Sequence, residues 1–238
     1  MKISVIIPTL NEAFLVSKAI ENAWKCGADE VVLVDGGSSD DTLAIADSLD
    51  CITCRSPVGR GQQLNAGAGE ATGDVFLFLH VDSYLPGGGC DQIRSAIKSR
   101  NVACGAFKQS LDNRQWIYRL IEMGNALRAS WLGTAYGDQG VFIRRELFFE
   151  LEGFDEIPLM EDFRFSQKLR IRNLSVRKSP GNGKIPYRFQ LLPGPLKVST
   201  RRWEARGPIK QTIANWRTTF QYMRGAEPAE LAREYYRD

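Results

Sequence analysis

Residues 31–42 read VVLVDGGSSDDT and decide the fold of this 238-residue chain. Four apolar residues predict a buried strand that ends on Asp35, and after two glycines the Ser and Asp residues predict the start of a helix. Residues 3–12, ISVIIPTLNE, make the same strand-to-loop transition. Because open α/β sheets bind ligands outside the carboxyl ends of their strands, both segments predict a ligand site at that edge.

The side chains at these strand ends suit a nucleotide. A carboxylate such as that of Asp35 accepts hydrogen bonds from a base N–H or a ribose hydroxyl, and glycine lets the main chain approach a ligand closely. The alternative role for Asp35 is a turn or helix cap, but Asp40 and the neighbouring serines can supply those caps. We therefore expect Asp35 to be free at the strand end and to contact a nucleotide.

Strands and helices alternate along the first half of the chain. The predicted strands there are 3–7, 31–34, 51–55 and 75–79, and the predicted helices are 12–26, 41–49 and 62–71. This alternation is typical of a parallel sheet with right-handed crossovers. The second half is less regular, with strands predicted at 103–109 and 141–143 and helices at 115–130, 145–151, 160–172 and 208–224.

Composition narrows the class of protein. A hydrophobic content of 43% and a charged content of 25% are typical of a soluble globular chain, and a net charge of +3 is too small to predict nucleic-acid binding. Five cysteines in a sequence without a signal-peptide pattern favour a cytoplasmic protein. Any contact of that protein with a membrane would be peripheral. Cys51 and Cys54 have the spacing of a redox or zinc pair, but no second pair completes a site, so structural thiols are expected.

Six segments, in order, resemble the family-2 glycosyltransferases. They are residues 8–12 (PTLNE), 34–40 (VDGGSSD), Arg60 with 65–67 (NAG), 80–82 (HVD), 153–156 (GFDE) and Glu161-Asp162. The match covers residues 1 to about 175, and the segments FLHVD (78–82) and RRWE (201–204) resemble a small bacterial subgroup. The resemblance implies an α/β fold of the GT-A type, with an open, mostly parallel twisted sheet flanked by helices.

The resemblance also implies how the chain is organised. We expect one domain over residues 1–238, in which 1–100 form the nucleotide-binding half and 101–175 the acceptor and catalytic half. Residues 176–238 would form a C-terminal extension with an amphipathic helix. For the apolar stripe of that helix, packing against the core is favoured over binding to a membrane surface.

The implied activity is inverting transfer of a sugar from a nucleoside-diphosphate sugar, with a UDP-sugar favoured, to an unknown hydroxyl acceptor that a lipid could carry. A flexible loop would deliver Arg60 to the diphosphate. The residues that would surround the nucleotide are Pro8, Thr9, Leu10, Glu12, Asp35, Asn65 and Val81. The family often has a second acid after Asp35, but here that position is Gly36, so Asp35 alone would recognise the base.

A divalent cation, Mn²⁺ or Mg²⁺, is the implied cofactor. The usual Asp-x-Asp motif reads His80-Val81-Asp82 in this chain. Imidazole can bind Mn²⁺, whereas Mg²⁺ prefers oxygen ligands, so Asp82 is the stronger candidate ligand and His80 the weaker one. A histidine that merely ends a strand is the alternative for His80.

The acid pair Glu161-Asp162 would carry the catalysis. Following the family, Asp162 is the general base and Glu161 orients the base or the acceptor, although acids are also favoured in the first turn of any helix. The acceptor and sugar side would be lined by Asp138, Gln139, Arg202 and Trp203. There the Trp203 ring would face a sugar, and an arginine of the same segment would offset the diphosphate charge.

Two other functions stay open at this point. The altered metal motif is compatible with a non-catalytic nucleotide-sugar-binding protein, although the intact Glu161-Asp162 pair argues against it. A sugar-nucleotide nucleotidyltransferase would need a Gly-rich loop with a basic residue directly after the first strand, and Pro8-Thr9-Leu10 does not supply one.

Overall fold

The computed structural model describes residues 1–178 and 186–237, apart from the side chains of Lys178, Arg202 and Arg237. The strands are β1 (Ile3–Thr9), β2 (Glu30–Asp35), β3 (Ile52–Arg55), β4 (Val75–Phe78), β5 (Ser83–Tyr84), β6 (Val102–Leu111), β7 (Val141–Arg144) and β8 (Arg188–Val198). The helices are α1 (Val16–Lys25), α2 (Thr42–Asp47), α3 (Arg60–Glu70), α4 (Gly89–Ile97), α5 (Trp116–Leu132), α6 (Arg145–Glu150), α7 (Glu161–Lys178), α8 (Arg201–Arg206), α9 (Pro208–Met223) and α10 (Pro228–Arg237).

These strands form a mixed sheet in the order β3-β2-β1-β4-β7-β6-β8-β5. The first four are parallel, as the alternating pattern predicts, and β8 runs parallel to β6. Strand β7 is antiparallel to both β4 and β6, and β5 is antiparallel to β8. The register pairs Thr9 with Asp35, so the two predicted loops lie side by side at one edge of the sheet.

Helices cover both faces of the sheet, so successive residues of its central strands are buried on opposite sides. All six residues of β2 are buried, as expected for a parallel strand between two helical layers. On one face, Ile3 and Ile7 of β1 pack with α1 and α4. On the other face, Ile6 packs with α3, α6 and α7. The sheet is therefore a rigid support for the loops at its carboxyl edge.

Several boundaries differ from the sequence predictions. Arg60 is the first residue of α3, so the prediction that it sits on a flexible loop is wrong. The sequence does not predict strand β8, because Pro193 and Pro195 disfavour a strand. The ladder accommodates them in a bulge: Leu192 pairs with Phe107 and Leu196 with Gln109, which leaves residues 193–195 opposite Lys108 alone.

The apolar stripe of α9 does not pack against the core, and the prediction that it does is wrong. Its five members are exposed: Ile209, Ile213, Trp216, Phe220 and Met223. The opposite side of the helix faces the protein, where Tyr222 packs beside Phe163 and Leu231 of a small cluster near the start of α7. Across the described residues, no helix is both long enough and apolar enough to cross a bilayer.

The cysteines are free thiols. Burial raises the pKa of Cys51 to about 11 and also raises the pKa of Cys54. Such thiols are poor nucleophiles at neutral pH.

Candidate functional site

Hydrogen bonds join the loops that follow β1 and β2. Asn11 adopts a left-handed conformation (φ 54°), which asparagine tolerates better than most residues. Its Oδ1 accepts a hydrogen bond from the Ser39 N–H at 2.8 Å, and its own N–H donates to Ser38 Oγ at 2.8 Å. The Glu12 N–H donates to Thr42 Oγ1 at 2.7 Å. The two loops therefore form one fixed edge.

Asp35 closes the turn at this edge. The residue is only 2% exposed, and its Oδ2 accepts hydrogen bonds from the N–H groups of Gly37 and Ser38, both at 3.1 Å. The expectation that other residues would leave Asp35 free is therefore wrong. Its Oδ1 also accepts a hydrogen bond from the Ser38 N–H, at 3.2 Å, and still has a lone pair for a ligand. Contact between Asp35 and a base stays a prediction.

Gln63 of α3 leaves little room for the second acid that the family often has at position 36. Its Nε2 donates to Thr9 O at 2.8 Å and to Val34 O at 3.0 Å, which satisfies two carbonyls at the strand ends. A Cβ on Gly36 would lie 3.0 Å from that same nitrogen. A side chain at position 36 would therefore push against Gln63, a residue that the motifs do not single out.

Arg60 and Glu161 form an ion pair behind the site. Arg60 Nη1 lies 3.0 Å from Glu161 Oε1, and Glu161 is 1% exposed. Burial raises the pKa of Glu161, and the nearby Asp162 adds to this while Arg60 opposes it. Burial lowers the pKa of Arg60, but the Glu161 charge outweighs it, so the net direction is upward. Arg60 is thus a fixed cation beside the acid pair at the start of α7.

Asn65 and Val81 both have structural partners inside the protein. The Asn65 amide bonds both main-chain groups of Phe154, donating to its carbonyl at 2.9 Å and accepting from its N–H at 2.9 Å. Asn65 therefore positions the loop that precedes Glu161, whereas Val81 is buried in the core. Their contact with a nucleotide stays a prediction.

Three more predicted nucleotide residues lie at the end of β1, in different environments. Leu10 is exposed and Pro8 is partly exposed, so both can meet a ligand. Thr9 is buried, and its hydroxyl donates to Val34 O at 3.3 Å. Thr9 therefore holds β1 to β2 beneath the predicted nucleotide site.

Asp162 meets the end of β4 through Gly137. The Gly137 N–H donates to Asp162 Oδ2 at 2.8 Å, and the Phe163 N–H donates to Oδ1 at 2.6 Å. A Cβ on Gly137 would lie 2.7 Å from His80 Nε2 and 3.6 Å from Asp162 Oδ2. Glycine is therefore required where the loop passes between these two side chains. The structure therefore brings Asp162 and His80 to opposite sides of Gly137.

Asp82 and Glu12 both face Arg201, the first residue of α8. Arg201 Nη2 lies 3.1 Å from Asp82 Oδ2 and 3.7 Å from Glu12 Oε1. Burial raises the pKa of Glu12, Arg201 opposes this, and the Asp82 charge adds to it. Arg201 therefore balances two acids that follow β1 and β4. The sequence signal for it is its place at the start of the RRWE segment.

The acids at this edge fit a divalent cation in part. Mg²⁺ commonly binds one or two carboxylates together with substrate phosphates, a role that Asp82 and Glu12 suit once Arg201 moves aside. Within residues 1–178 and 186–237, no three His, Cys, Asp or Glu side chains form a group that could hold a metal. Phosphate oxygens of a bound ligand would have to complete the coordination. The role of His80 as a ligand stays a prediction.

A single 3-10 turn, Gly137–Gln139, supplies the next two predicted residues. Gln139 is buried, and its Oε1 accepts from Arg128 Nη2 at 2.7 Å and from the Tyr136 N–H at 3.2 Å. Gln139 therefore fixes the turn from inside the protein, where it is not free to line a sugar.

Asp138 belongs to the same acidic region as Asp162. Burial raises the pKa of Asp138; Gln109 and Arg128 oppose this, and the charges of Asp162 and Asp82 add to it. Its Oδ1 is buried and has no hydrogen-bond partner among the described residues. Its place on the acceptor or sugar side stays a prediction.

Trp203 does not present its ring to a sugar. It is 8% exposed and packs in the main core, so that prediction is wrong. The side chain of Arg202 lies outside the described residues. Of this segment, Arg201 is the residue that the structure brings to the acidic edge.

Residues 4–155 match the sequence profile described as Glycosyl transferase family 2. This span is more than half of the chain, so the chain belongs to glycosyl transferase family 2. The structure also shows the GT-A fold: it resembles S. aureus TarS with a TM-score of 0.64 at 20% identity, over 84% of this chain and 37% of that one. The structure of TarS 1–349 in complex with UDP-GlcNAc gives a TM-score of 0.60 at 20% identity, over 84% of this chain and 58% of that one.

Curated relatives are also named as glycosyltransferases. A "PGL/p-HBAD biosynthesis glycosyltransferase" of Mycobacterium bovis is 37% identical over 91 residues, which are 34% of this chain and 36% of that protein. An "undecaprenyl-phosphate 4-deoxy-4-formamido-L-arabinose transferase" of Sodalis glossinidius is 25% identical over 156 residues, 60% of this chain and 48% of that protein. The matches therefore span less than half of these relatives.

Proposed function

We propose that this chain is an inverting glycosyltransferase that moves a sugar from a UDP-sugar to a hydroxyl acceptor. The observation that carries the proposal is the position of Asp162, whose carboxylate is fixed at the start of α7 beside Gly137 and His80. His80 follows β4 closely, so the acid stands next to the strand ends at which α/β sheets bind nucleotides. Family membership supports the same conclusion.

The chemistry is a single displacement. Asp162 takes the proton of the acceptor hydroxyl while the hydroxyl oxygen attacks the anomeric carbon of the donor. The bond from that carbon to the diphosphate oxygen breaks, and its electron pair leaves with UDP. Because attack and departure occur on opposite faces of the sugar, the configuration at the anomeric carbon inverts.

Charge at the diphosphate would be balanced by Arg201 of α8 and by a divalent cation bound at the acids that follow β1 and β4. The guanidinium of Arg201 lies within reach of both Asp82 and Glu12 and can turn toward an arriving diphosphate. A divalent cation held by Asp82 would neutralise the negative charge that develops on the leaving group. Glu161, paired with Arg60, would hold Asp162 in place.

The test is donor binding followed by donor consumption. UDP-, GDP- and dTDP-sugars, each with and without Mn²⁺, are compared by the thermal unfolding of the full chain. At a hundredfold excess over Kd, a bound donor stabilises the fold by about 2.7 kcal/mol, which a melting curve detects readily. We expect UDP-sugars with Mn²⁺ to give the largest shift, and release of UDP to follow over time.

The outcomes separate the candidate functions. Tight binding of UDP-sugars would favour the non-catalytic binding protein if no UDP is released. That result must hold in water alone and with lipid and sugar hydroxyl acceptors present. No shift with any nucleotide sugar would contradict the proposal. A preference for GDP- or dTDP-sugars would keep the reaction and replace the donor.

A further inference from the structure

Helix α9 is oriented with its polar side toward the protein. Gln211 is buried and donates to Asn215 Oδ1 at 2.8 Å, and the Tyr235 hydroxyl donates to the same Asn215 oxygen at 3.2 Å. Thr219 shares a hydrogen bond with the Tyr136 hydroxyl at 3.0 Å. The contacts with Tyr235 and Tyr136 fix the rotation of the helix and turn its apolar stripe outward.

Helix α5 has the same unusual feature. Five of its exposed apolar residues recur every three or four positions, so they lie on one side of the helix. They are Trp116, Leu120, Met123, Leu127 and Trp131. Helices α5 and α9 lie against each other. Together their two stripes expose ten large apolar side chains, which we call the α5–α9 surface.

The charges of the two helices are almost entirely positive. Helix α9 contains no acidic residue, and the one acid of α5, Glu122, turns inward to accept a hydrogen bond from the Leu111 N–H at 2.6 Å. An exposed acid nearby is Glu234 of α10, which lies 3.9 Å from Arg217. The exposed cations on or next to the two helices are Arg114, Arg119, Lys210, Arg217 and Arg224, of which Arg119 is paired with Glu122 at 3.0 Å. Asp112 and Glu227 are exposed acids just beyond the helix ends. An apolar stripe beside basic residues is the pattern of helices that lie in the interface of an anionic bilayer.

We propose that the α5–α9 surface docks on a membrane containing anionic lipids. Three of the five tryptophans lie on it, with Trp116 71%, Trp131 83% and Trp216 70% exposed, and indole rings favour the boundary between headgroups and acyl chains. A second copy of this chain fits less well, because it would bring cations against cations with no exposed acid on either helix between them.

The docked surface would lie beside the acceptor side of the site. Arg128 of α5 stacks on the Tyr136 ring at 3.7 Å and donates to Gln139, and Thr219 of α9 contacts the Tyr136 hydroxyl. Tyr136 precedes the turn whose Gly137 N–H holds Asp162, and Gln139 is the last residue of that turn. A lipid-anchored hydroxyl acceptor would therefore arrive next to the general base. This last step rests on the proposed glycosyltransferase function, whereas docking itself does not.

Vesicle flotation of the full chain tests the docking. We expect flotation with vesicles of phosphatidylcholine and phosphatidylglycerol, about tenfold less with phosphatidylcholine alone, and a decrease as salt rises. The double variant Trp131→Glu/Trp216→Glu, one change on each helix, should lose about tenfold in binding. Ile52→Glu, on the opposite edge strand β3, is the matched control and should bind like the unchanged chain.

A measurement on the unchanged chain guards against a misfolded variant. Tryptophan fluorescence should be quenched by vesicles of brominated phosphatidylcholine and phosphatidylglycerol, because the exposed tryptophans would enter the bilayer while Trp203 stays in the core. No flotation and no quenching with anionic vesicles would overturn the proposal. So would a dimer in light scattering that the double variant dissociates while neither protein binds vesicles.

UDP binding separates this inference from the proposed function. The double variant should bind UDP with the affinity of the unchanged chain, since Trp131 and Trp216 face solvent rather than the site. A chain that floats but binds no nucleotide would refute the proposed function and leave docking standing. A chain that binds UDP but does not bind vesicles would refute docking and leave the proposed function standing.

Discussion

Asp35 closes a turn at the strand end where the sequence analysis expects it to contact a nucleotide. It stands at the predicted strand end, and its carboxylate also accepts the hydrogen bonds that close the following turn. A substitution that removes the carboxylate therefore affects the fold as well as any ligand. Asparagine is the sharper probe, because its Oδ1 can still accept from the main chain while the negative charge is lost.

We predict that Asp35→Asn weakens UDP binding about tenfold to a hundredfold, corresponding to about 1–3 kcal/mol for a lost buried hydrogen bond. Asp35→Ala should show the same loss together with a lower free energy of unfolding. Asp41→Asn, an exposed acid of the following loop, is the control. Calorimetry that finds unchanged UDP affinity in a folded Asp35→Asn protein would remove Asp35 from base recognition.

Variants of the Arg60–Glu161 pair test whether Arg60 has a structural role or binds phosphate. Arg60→Met leaves a buried carboxylate without its partner, which should cost about 3 kcal/mol of the free energy of unfolding. The double variant Arg60→Met/Glu161→Gln removes both charges and should regain most of that loss. Denaturant unfolding measures both variants.

The UDP affinity of the same double variant then shows which of these two roles Arg60 has. Retained affinity would mean that Arg60 acts only on Glu161. A loss of about tenfold or more in the stable double variant would support the contact with the diphosphate that the sequence analysis expects.

Asp162 is the residue on which the proposed chemistry depends. Asp162→Asn keeps an oxygen that can accept from the Gly137 N–H, so UDP binding should persist. Transfer should fall by about 10²–10⁴, the usual loss when a general base is removed. Glu161→Gln should be milder, and Glu156→Gln, an exposed acid of the preceding loop, should have no effect. Near-normal transfer by Asp162→Asn would show that the acid pair only stabilises the first turn of helix α7.

At the scale of helices and strands, the parallel part of the sheet could be predicted because its strands are continuous apolar runs between polar turns. Strand β8 could not, since its two prolines are tolerated only at a bulge that depends on β6. The rotation of α9 could not be predicted either. A helical pattern defines an apolar side but does not say whether that side meets the core, and here the hydrogen bonds of Asn215 with Tyr235 and of Thr219 with Tyr136 decide it.

The candidate site, like the fold, could be predicted from the sequence only in part. Motifs indicate Asp162 and Asp82 as candidates, because a single residue type at a strand or helix end carries that signal. The partners of such residues come from distant parts of the chain, such as Arg201 on Asp82 and Gln63 on the strand ends, and local sequence patterns do not encode these contacts.

Glu30 links β1, β2 and the turn before β4. Its carboxylate lies 2.8 Å from Lys2 Nζ and accepts from the Thr72 N–H at 2.8 Å. Burial alone would raise the pKa of Glu30, but hydrogen bonds from Lys2, Ser4 and Thr72 outweigh it and lower the pKa to about 2 from 4.5. A depressed acid pKa stabilises the fold above the unfolded value and loses that effect as the pH falls.

We therefore predict that stability contributed by Glu30, about 3 kcal/mol at neutral pH, is lost as the pH falls from about 4.5 to about 2. Glu30→Gln should be less stable at pH 7 and should show a flatter stability curve across that range. Glu21→Gln, an exposed acid paired with Lys25, is the control. Equal slopes for Glu30→Gln and the unchanged chain would show that Glu30 titrates normally.

At the scale of the whole molecule, the C-terminal part of the chain returns to the edge formed by the first strands. Arg201 opens α8 and lies between Asp82, after β4, and Glu12, after β1. A guanidinium and a divalent cation compete for such a pair of acids, because each neutralises the same negative charge. Helix α8 would then respond to the arrival of a cation and a diphosphate at the sheet edge.

We predict that Arg201→Gln binds Mn²⁺ alone about tenfold more tightly than the unchanged chain, since the removal of one positive charge leaves Asp82 and Glu12 to the metal. UDP affinity without metal should fall in the same variant, because a cation that can turn to the diphosphate is lost. Mn²⁺ titrations followed by electron paramagnetic resonance, and UDP calorimetry in EDTA, measure the two effects. Arg217→Gln, at an exposed arginine of α9, is the charge-matched control. Unchanged Mn²⁺ affinity in Arg201→Gln would show that Arg201 and the cation use different groups, and the metal site would then have to be sought away from Asp82.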